Sequence, residues 1–268
     1  MSNIIRVLAL GDVIGHRSVE GIKQNLGAIK KAKMIDFVIA NGENSSYNSL
    51  GISRKNYEDL IGAGVDVITS GNHIWKNKET FEFIDKVDRL IRPLNYIPSL
   101  PGNGKVVIEV KGVKVCVINL IGSTFMDAPF ISPFFVIQQE LNNLPEDVKV
   151  VIVDFHAEAT AEKVAMGWFL DGRVSLVFGT HTHVQTADEK ILPNGTGYIT
   201  DIGMCGFTRS VIGDEVERSL KRFLLGVPER LSPSEEGNFQ MNGIIVDINA
   251  ETGKAVRIER ISYEFQVY

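Results

Sequence analysis

Ile4-Ile5-Arg6-Val7-Leu8-Ala9-Leu10-Gly11-Asp12 is an apolar run that stops on a glycine and a carboxylate. A run apolar almost throughout reads as a strand covered on both faces, as in a parallel sheet. The same pattern returns along the chain. Phe37 to Ala40 runs into Asn41-Gly42-Glu43-Asn44, and Val65 to Thr69 runs into Ser70-Gly71-Asn72-His73. Helical segments over Arg17 to Lys31 and Ser53 to Ala63 lie between these strands, with Ser53 as N-cap and Gly64 as stop for the second. Strand and helix in alternation imply parallel βαβ units.

Further strands are expected over Val106 to Val110, Val113 to Leu120, Val148 to Phe155, Val174 to Phe178, Gly197 to Asp201, Gly243 to Asn249 and Ala255 to Ser262. Helices are expected over Lys78 to Val87, Pro133 to Leu144, Glu158 to Leu170 and Glu215 to Leu225. Lys111-Gly112 reads as a hairpin turn, so the later sheet is mixed. The architecture expected is an α/β sandwich of four layers, two mixed sheets flanked by helices. No internal repeat or linker divides the chain, and Pro98 to Lys105 and Pro228 to Asn242 read as polar loops, so residues 1–268 are taken as a single domain.

The 268 residues are 44% hydrophobic and 23% charged, as in ordinary globular proteins, with a formal net charge of −5. That balance excludes a broad basic surface for duplex nucleic acid. It leaves room for a small nucleotide held by metal ions, which reverse the local field. No stretch approaches the ~18 apolar residues of a membrane helix, and the start of the chain reads as a strand rather than a signal peptide. Two cysteines far apart, Cys116 and Cys205, suggest no disulfide framework and a cytoplasmic setting.

Ligands of open α/β sheets gather beyond the carboxyl ends of the strands. Those ends carry Asp12, Glu43 with Asn44, Asn72 with His73, His156, and Gly179-Thr180-His181-Thr182-His183. A single histidine is usually a core or surface residue. Here four of the chain's five stand at strand ends beside glycines, acids and amides. The constellation points to a metal site. His181 and His183, two apart, face one way in extended chain and can serve neighbouring ions. Oxygen and nitrogen donors without thiolate suit Mn, Fe or Zn. A carboxylate such as Glu43 can bridge two ions ~3.5–4 Å apart that clamp a phosphoryl group and ionise a water.

The series Gly11-Asp12, Gly42-Glu43-Asn44, Gly71-Asn72-His73, His156 and Gly179-Thr180-His181-Thr182-His183 resembles the calcineurin-like metallophosphoesterase superfamily. It is most similar to the bacterial YmdB-like branch of 2′,3′-cyclic-nucleotide 2′-phosphodiesterases, over nearly the whole chain. Two departures from the broad superfamily fit that branch. The usual Asp-x-His reads Asp12-Val13-Ile14, and the usual Gly-Asp-x-x-Asp reads Gly42-Glu43-Asn44. The resemblance implies two divalent or trivalent ions, Fe or Mn with Zn as an alternative. Asp12, Glu43, Asn44 and His183 would hold one, and Glu43, Asn72, His156 and His181 the other. His73 would be the acid near the leaving oxygen, and the reaction would open a cyclic nucleotide, 2′,3′- before 3′,5′-, to its monoester. It further implies a homo-oligomer such as a tetramer. A phosphomonoesterase of the same fold and a regulatory nucleotide-binding protein acting through a partner are the competing readings.

Other residues carry less. His16 is left outside the site. Gly203 to Ser210 reads as a mobile surface loop, with Arg209 reaching a phosphate as the alternative. Ser45 to Ser49 would line the pocket or form a plain turn, Trp75 and Trp168 would pack in the core, and Glu158 would open a helix rather than approach a metal.

Overall fold

The computed structural model describes residues 3–127 and 131–266. Its elements follow the expected order. The first βαβαβ stretch is β1 (Ile4–Val13), α1 (Gly15–Lys33), β2 (Phe37–Asn41), α2 (Arg54–Ala63) and β3 (Val67–Thr69). After α3 (Lys78–Phe83) come the hairpin β4 (Lys105–Val110) and β5 (Val113–Ile121), then α4 (Pro133–Asn142), β6 (Val148–His156), α5 (Thr160–Leu170) and β7 (Leu176–Thr180). The short strands β8 (Lys190–Ile191), β9 (Gly197–Ile199) and β10 (Met204–Phe207) precede α6 (Val216–Leu225) and the closing hairpin β11 (Phe239–Asn249) and β12 (Ala255–Phe265).

Two six-stranded mixed sheets result, ordered β12-β11-β10-β1-β2-β3 and β4-β5-β6-β7-β9-β8. Alternation along each strand decides what covers its faces. Ile5, Val7 and Ala9 of β1 meet Val115 and Val117 of β5, Ile152 of β6 and Phe178 of β7 in the core between the sheets. Leu8 and Leu10 point the other way, onto Val19, Ile22 and Leu26 of α1 and Leu60 of α2. On the far side of the second sheet, Ile118, Val153 and Phe155 pack on Ile137 of α4 and Met166 of α5. Both sheets are therefore covered on both faces, which is why their strands read as unbroken apolar runs.

Local signals behave as their chemistry requires. Ser53 caps α2 by accepting the Asn56 N–H, and Gly64 ends it at φ 101°. Lys111 and Gly112 both take positive φ, as a two-residue hairpin turn demands. Cys116 and Cys205 are buried and unpaired with each other. No helix among the described residues is long and apolar enough to cross a membrane.

The structure corrects several expectations. Gly203 to Ser210 is not a mobile surface loop, because Met204–Phe207 forms buried β10. β1 pairs antiparallel with β11 only as far as Leu10, opposite Gly243. Beyond that point β10 enters between them, parallel to β1 and antiparallel to β11. Four residues in such a slot carry too short a pattern to read. The expected loop Pro228 to Asn242 ends early, since β11 starts at Phe239. α5 starts at Thr160, so Glu158 does not open it. Trp168 is not a core residue but is 56% exposed on that helix, while Trp75 packs beside the core against Phe81. Replacing Ser53 by Ala should lower unfolding free energy by about 1 kcal/mol, read from denaturant titration, because one amide of α2 loses its acceptor.

Candidate metal centre

The apolar seam between the sheets turns polar at the strand ends. Asp154, near the end of β6, accepts hydrogen bonds from Thr180 Oγ1 at 2.7 Å, from Asn41 Nδ2 at 3.2 Å and from Thr69. All four residues are fully buried, and they tie one sheet to the other. Thr180 gives its only proton to Asp154, so it can only accept from His156 Nδ1 at 2.9 Å. His156 is thereby oriented with Nε2 outward.

Around that nitrogen the expected residues gather. His156 Nε2 lies 2.9 Å from Asn72 Oδ1, 3.1 Å from Glu43 Oε1 and 3.1 Å from His181 Nδ1. Glu43, His156 and His181 can direct ligand atoms at one point. A second gathering adjoins it. Asn44 Nδ2 is 3.3 Å from both Glu43 Oε1 and His183 Nε2, and Asp12 Oδ1 is 3.8 Å from His183 Nε2. His183 Nδ1 donates to the Ile212 carbonyl at 2.7 Å, which leaves Nε2 a lone pair. His73 Nδ1 lies 2.7 Å from Asn44 Oδ1, and its backbone N–H donates to Glu43 Oε2 at 2.9 Å. All eight residues named from sequence are thus in one place.

This donor set fits metal ions on three counts. Asp12 Oδ1 is buried with no hydrogen-bond partner, a costly state for a carboxylate oxygen. The charged partners of Asp12 and Glu43 among the described residues are histidines rather than lysine or arginine. A side chain on Gly71 would lie 2.2 Å from His156 Nε2 and 2.5 Å from Glu43 Oε2, so this position is open because it is glycine. One residue fits conditionally. Asn44 presents its NH2 to Glu43 and His183, and offers oxygen to an ion only with the amide turned over.

Charge follows the same geometry. Burial alone would raise Glu43, but His156 and His73 hold it at about 2. Burial alone would lower His156, but Glu43, Asp12 and Asp154 push it up to about 9. Burial and the neighbouring His156 push His181 down to about 3. Burial raises Asp12 and Asp154, the latter to about 7. Without an ion, the cluster keeps a proton on His156 as its cation.

His181 and His183 do not lie in extended chain. β7 ends at Thr180, and the two residues take φ 99° and 65°. Asp201 holds the loop by accepting from Thr182 N at 3.2 Å and Thr182 Oγ1 at 2.6 Å. Lys163 Nζ, only 2% exposed, pairs with the same carboxylate at 2.7 Å. Sequence reasoning missed both, although a lysine and an aspartate among buried neighbours were signals. Glu158, set aside as a helix opener, instead lies 3.1 Å from His181 Nε2.

A cavity of about 510 Å³ opens over the centre. From the segment Ser45 to Ser49, Asn48 and Ser49 line it within a run of turns, and Ile212, Asp214, Arg230 and Leu231 line it from the α6 region. Arg209 does not line it; the guanidinium is exposed and pairs with Glu217 at 3.0 Å and with Glu236. His16 lies off the site, buried, with Nδ1 2.8 Å from Asn56 Oδ1.

A model of the family described as YmdB-like protein matches residues 8–261. The chain belongs to the YmdB-like family. It is 43% identical to the 2′,3′-cyclic-nucleotide 2′-phosphodiesterase of Bacillus subtilis (strain 168) across 96% of both chains. It is also similar to the crystal structure of a phosphatase from Mycoplasma pneumoniae, at 39% identity and a TM-score of 0.91 over 98% of this chain and 95% of that one. The NAD nucleotidase of Haemophilus influenzae shares the fold alone, at 12% identity and a TM-score of 0.62 over 98% of this chain and 56% of that one. The four-layer sandwich of this YmdB-like chain is the metallophosphoesterase fold.

Two outcomes test the centre. Gly71→Ala should abolish high-affinity metal binding in equilibrium dialysis while the far-ultraviolet spectrum is unchanged, because the added methyl sits on the donor atoms. At pH 7 the metal-free protein carries His156 protonated, since about 9 lies above the pH. An ion taking Nε2 must expel that proton, so affinity should weaken as pH falls. Calorimetric titration of manganese in buffers of differing ionisation heat should report about one proton released, and no release would contradict the placement of His156.

Proposed function

We propose that this YmdB-like protein is a phosphodiesterase with a dinuclear metal centre that opens cyclic nucleotides, 2′,3′-cyclic ones first, to the nucleoside monophosphate. The observation that carries the reading is the set of seven donor side chains, including the orphaned Asp12 Oδ1, gathered under a cavity of about 510 Å³. That volume lies in the range of small-molecule sites. The name of the Bacillus subtilis relative supplies the substrate class. Asp12, Glu43, Asn44 and His183 would hold one ion, and Glu43, Asn72, His156 and His181 the other. Manganese or iron suits this nitrogen and oxygen set, with zinc next. When bound, the ions supply Lewis-acid polarisation of the phosphoryl oxygens and an acidified water.

The protein's own groups do the rest. The Thr180 hydroxyl, the Ile212 carbonyl and the Glu158 carboxylate fix the rings of His156, His183 and His181 before substrate arrives. Arg230 lines the cavity and would be the cation available to an incoming phosphate. His73 lines the same cavity with Nδ1 against the Asn44 side-chain amide, whichever way that amide is turned, so Nε2 is the nitrogen that would meet the leaving oxygen and protonate it.

Burial lowers His73 below the ordinary imidazole value of about 6.5, against the pull of Glu43. The fraction of acid therefore falls as pH rises through that lower value. The kcat/KM profile should decline on that side, and His73→Ala should remove the decline. The same substitution should reduce turnover roughly a hundredfold or more with metal content intact; unchanged turnover would end the acid role. Phosphorus NMR should show a 2′,3′-cyclic nucleotide converted to a 3′-monoester faster than simple monoesters release phosphate. The reverse order would make the protein a phosphomonoesterase.

A further inference from the structure

We infer that Ile212 is a substrate-contacting residue whose side chain supports the nucleobase and so makes the enzyme selective for nucleosides over base-free cyclic phosphodiesters. The inference rests on the cyclic-nucleotide reading above and goes on to specify which part of the substrate is recognised.

Val211 and Asp214 exchange backbone hydrogen bonds of 2.8 and 3.1 Å, so Ile212 and Gly213 form the two-residue tip of a tight turn. Their φ values are 49° and 106°. Turns with both central residues at positive φ favour Asn-Gly or Gly-Gly, and a β-branched residue there is an outlier. The tip is fixed in place, because a side chain on Gly213 would lie 2.8 Å from Ile14.

The strained backbone presents the Ile212 carbonyl to His183 Nδ1 at 2.7 Å. That explains the conformation but not the side chain, since asparagine or glycine would offer the same carbonyl with less strain. Nor does core packing explain it, for Ile212 is 51% exposed. It lies on the cavity wall together with Leu50, 36% exposed, and Leu231, half-buried. Strain retained at a site with no packing gain points to function.

The same cavity is lined by Glu43, Asn44, His181 and His183 of the donor cluster, so a ligand filling it needs an anionic group beside an apolar, flat one. A nucleoside cyclic phosphate has both. Ser49 lines the same cavity, also in the left-handed region at φ 54°.

The test compares uridine 2′,3′-cyclic phosphate with 1-O-methylribose 2′,3′-cyclic phosphate on the manganese-loaded enzyme. Ile212→Gly and Ile212→Asn should lower the ratio of kcat/KM values, nucleoside over base-free, by about tenfold. Both should also raise the thermal midpoint, since the turn relaxes. Ile212→Val, which keeps an apolar branch, should retain most of the ratio, and Leu231→Ala should lower it. A raised midpoint with the ratio unchanged would leave Ile212 a structural residue and overturn the inference. Failure of the wild type to cleave either diester would instead overturn the functional reading on which it rests.

Discussion

Electron pairs facing electron pairs in a buried cluster is the constraint on which this molecule depends. Glu43, Asn72 and His181 all aim at His156 Nε2, and Asp12 adds a buried oxygen with nothing to accept from. A cation among these atoms resolves such an arrangement. A proton does so partially, which is why His156 is held near 9 while Glu43 falls to about 2. Metal ions would do so fully. The missing side chain of Gly71 is therefore as much a part of the centre as the groups around it.

Two sheets are needed to build this. Asp12, Asn41 and Thr69 end strands of one sheet, and Asp154, His156 and Thr180 end strands of the other. Their side-chain contacts cross the seam between the sheets, where apolar packing below aligns the strand ends above. Asp154 is the hub, held by Thr180, Asn41 and Thr69 and passing its influence to His156 through the Thr180 hydroxyl. The Lys163–Asp201 pair has the corresponding task for the histidine loop. Buried ion pairs contribute little net stability on average, and this one is placed where it holds Thr182 between two residues in left-handed conformation. Such sites are where backbone strain collects.

What the sequence disclosed follows from which forces are local. Runs apolar on both faces disclosed the doubly covered sheets, and Ser53, Gly64 and Lys111-Gly112 disclosed their own ends and turns because capping and turn chemistry need only near neighbours. The eight residues from Asp12 to His183 stood at strand ends in plain view. What surrounds them did not. β10 is a strand only because β1 and β11 separate at Leu10, a distant event. His181 and His183 look like alternate positions of a strand until Asp201, brought from farther along the chain, bends the loop. Ile212, Arg230 and Asp214 reach the cavity from the α6 region, and no spacing in the sequence records that approach.

The positions that metal ions take decide whether the gathered donors form a dinuclear centre. Crystals soaked in manganese, with anomalous diffraction measured near the manganese edge, should show two peaks ~3.5–4 Å apart. One should sit among Asp12, Asn44 and His183, the other among Asn72, His156 and His181, with Glu43 between them. Peaks elsewhere, or none beside His156 Nε2 at saturating manganese, would contradict the central claim.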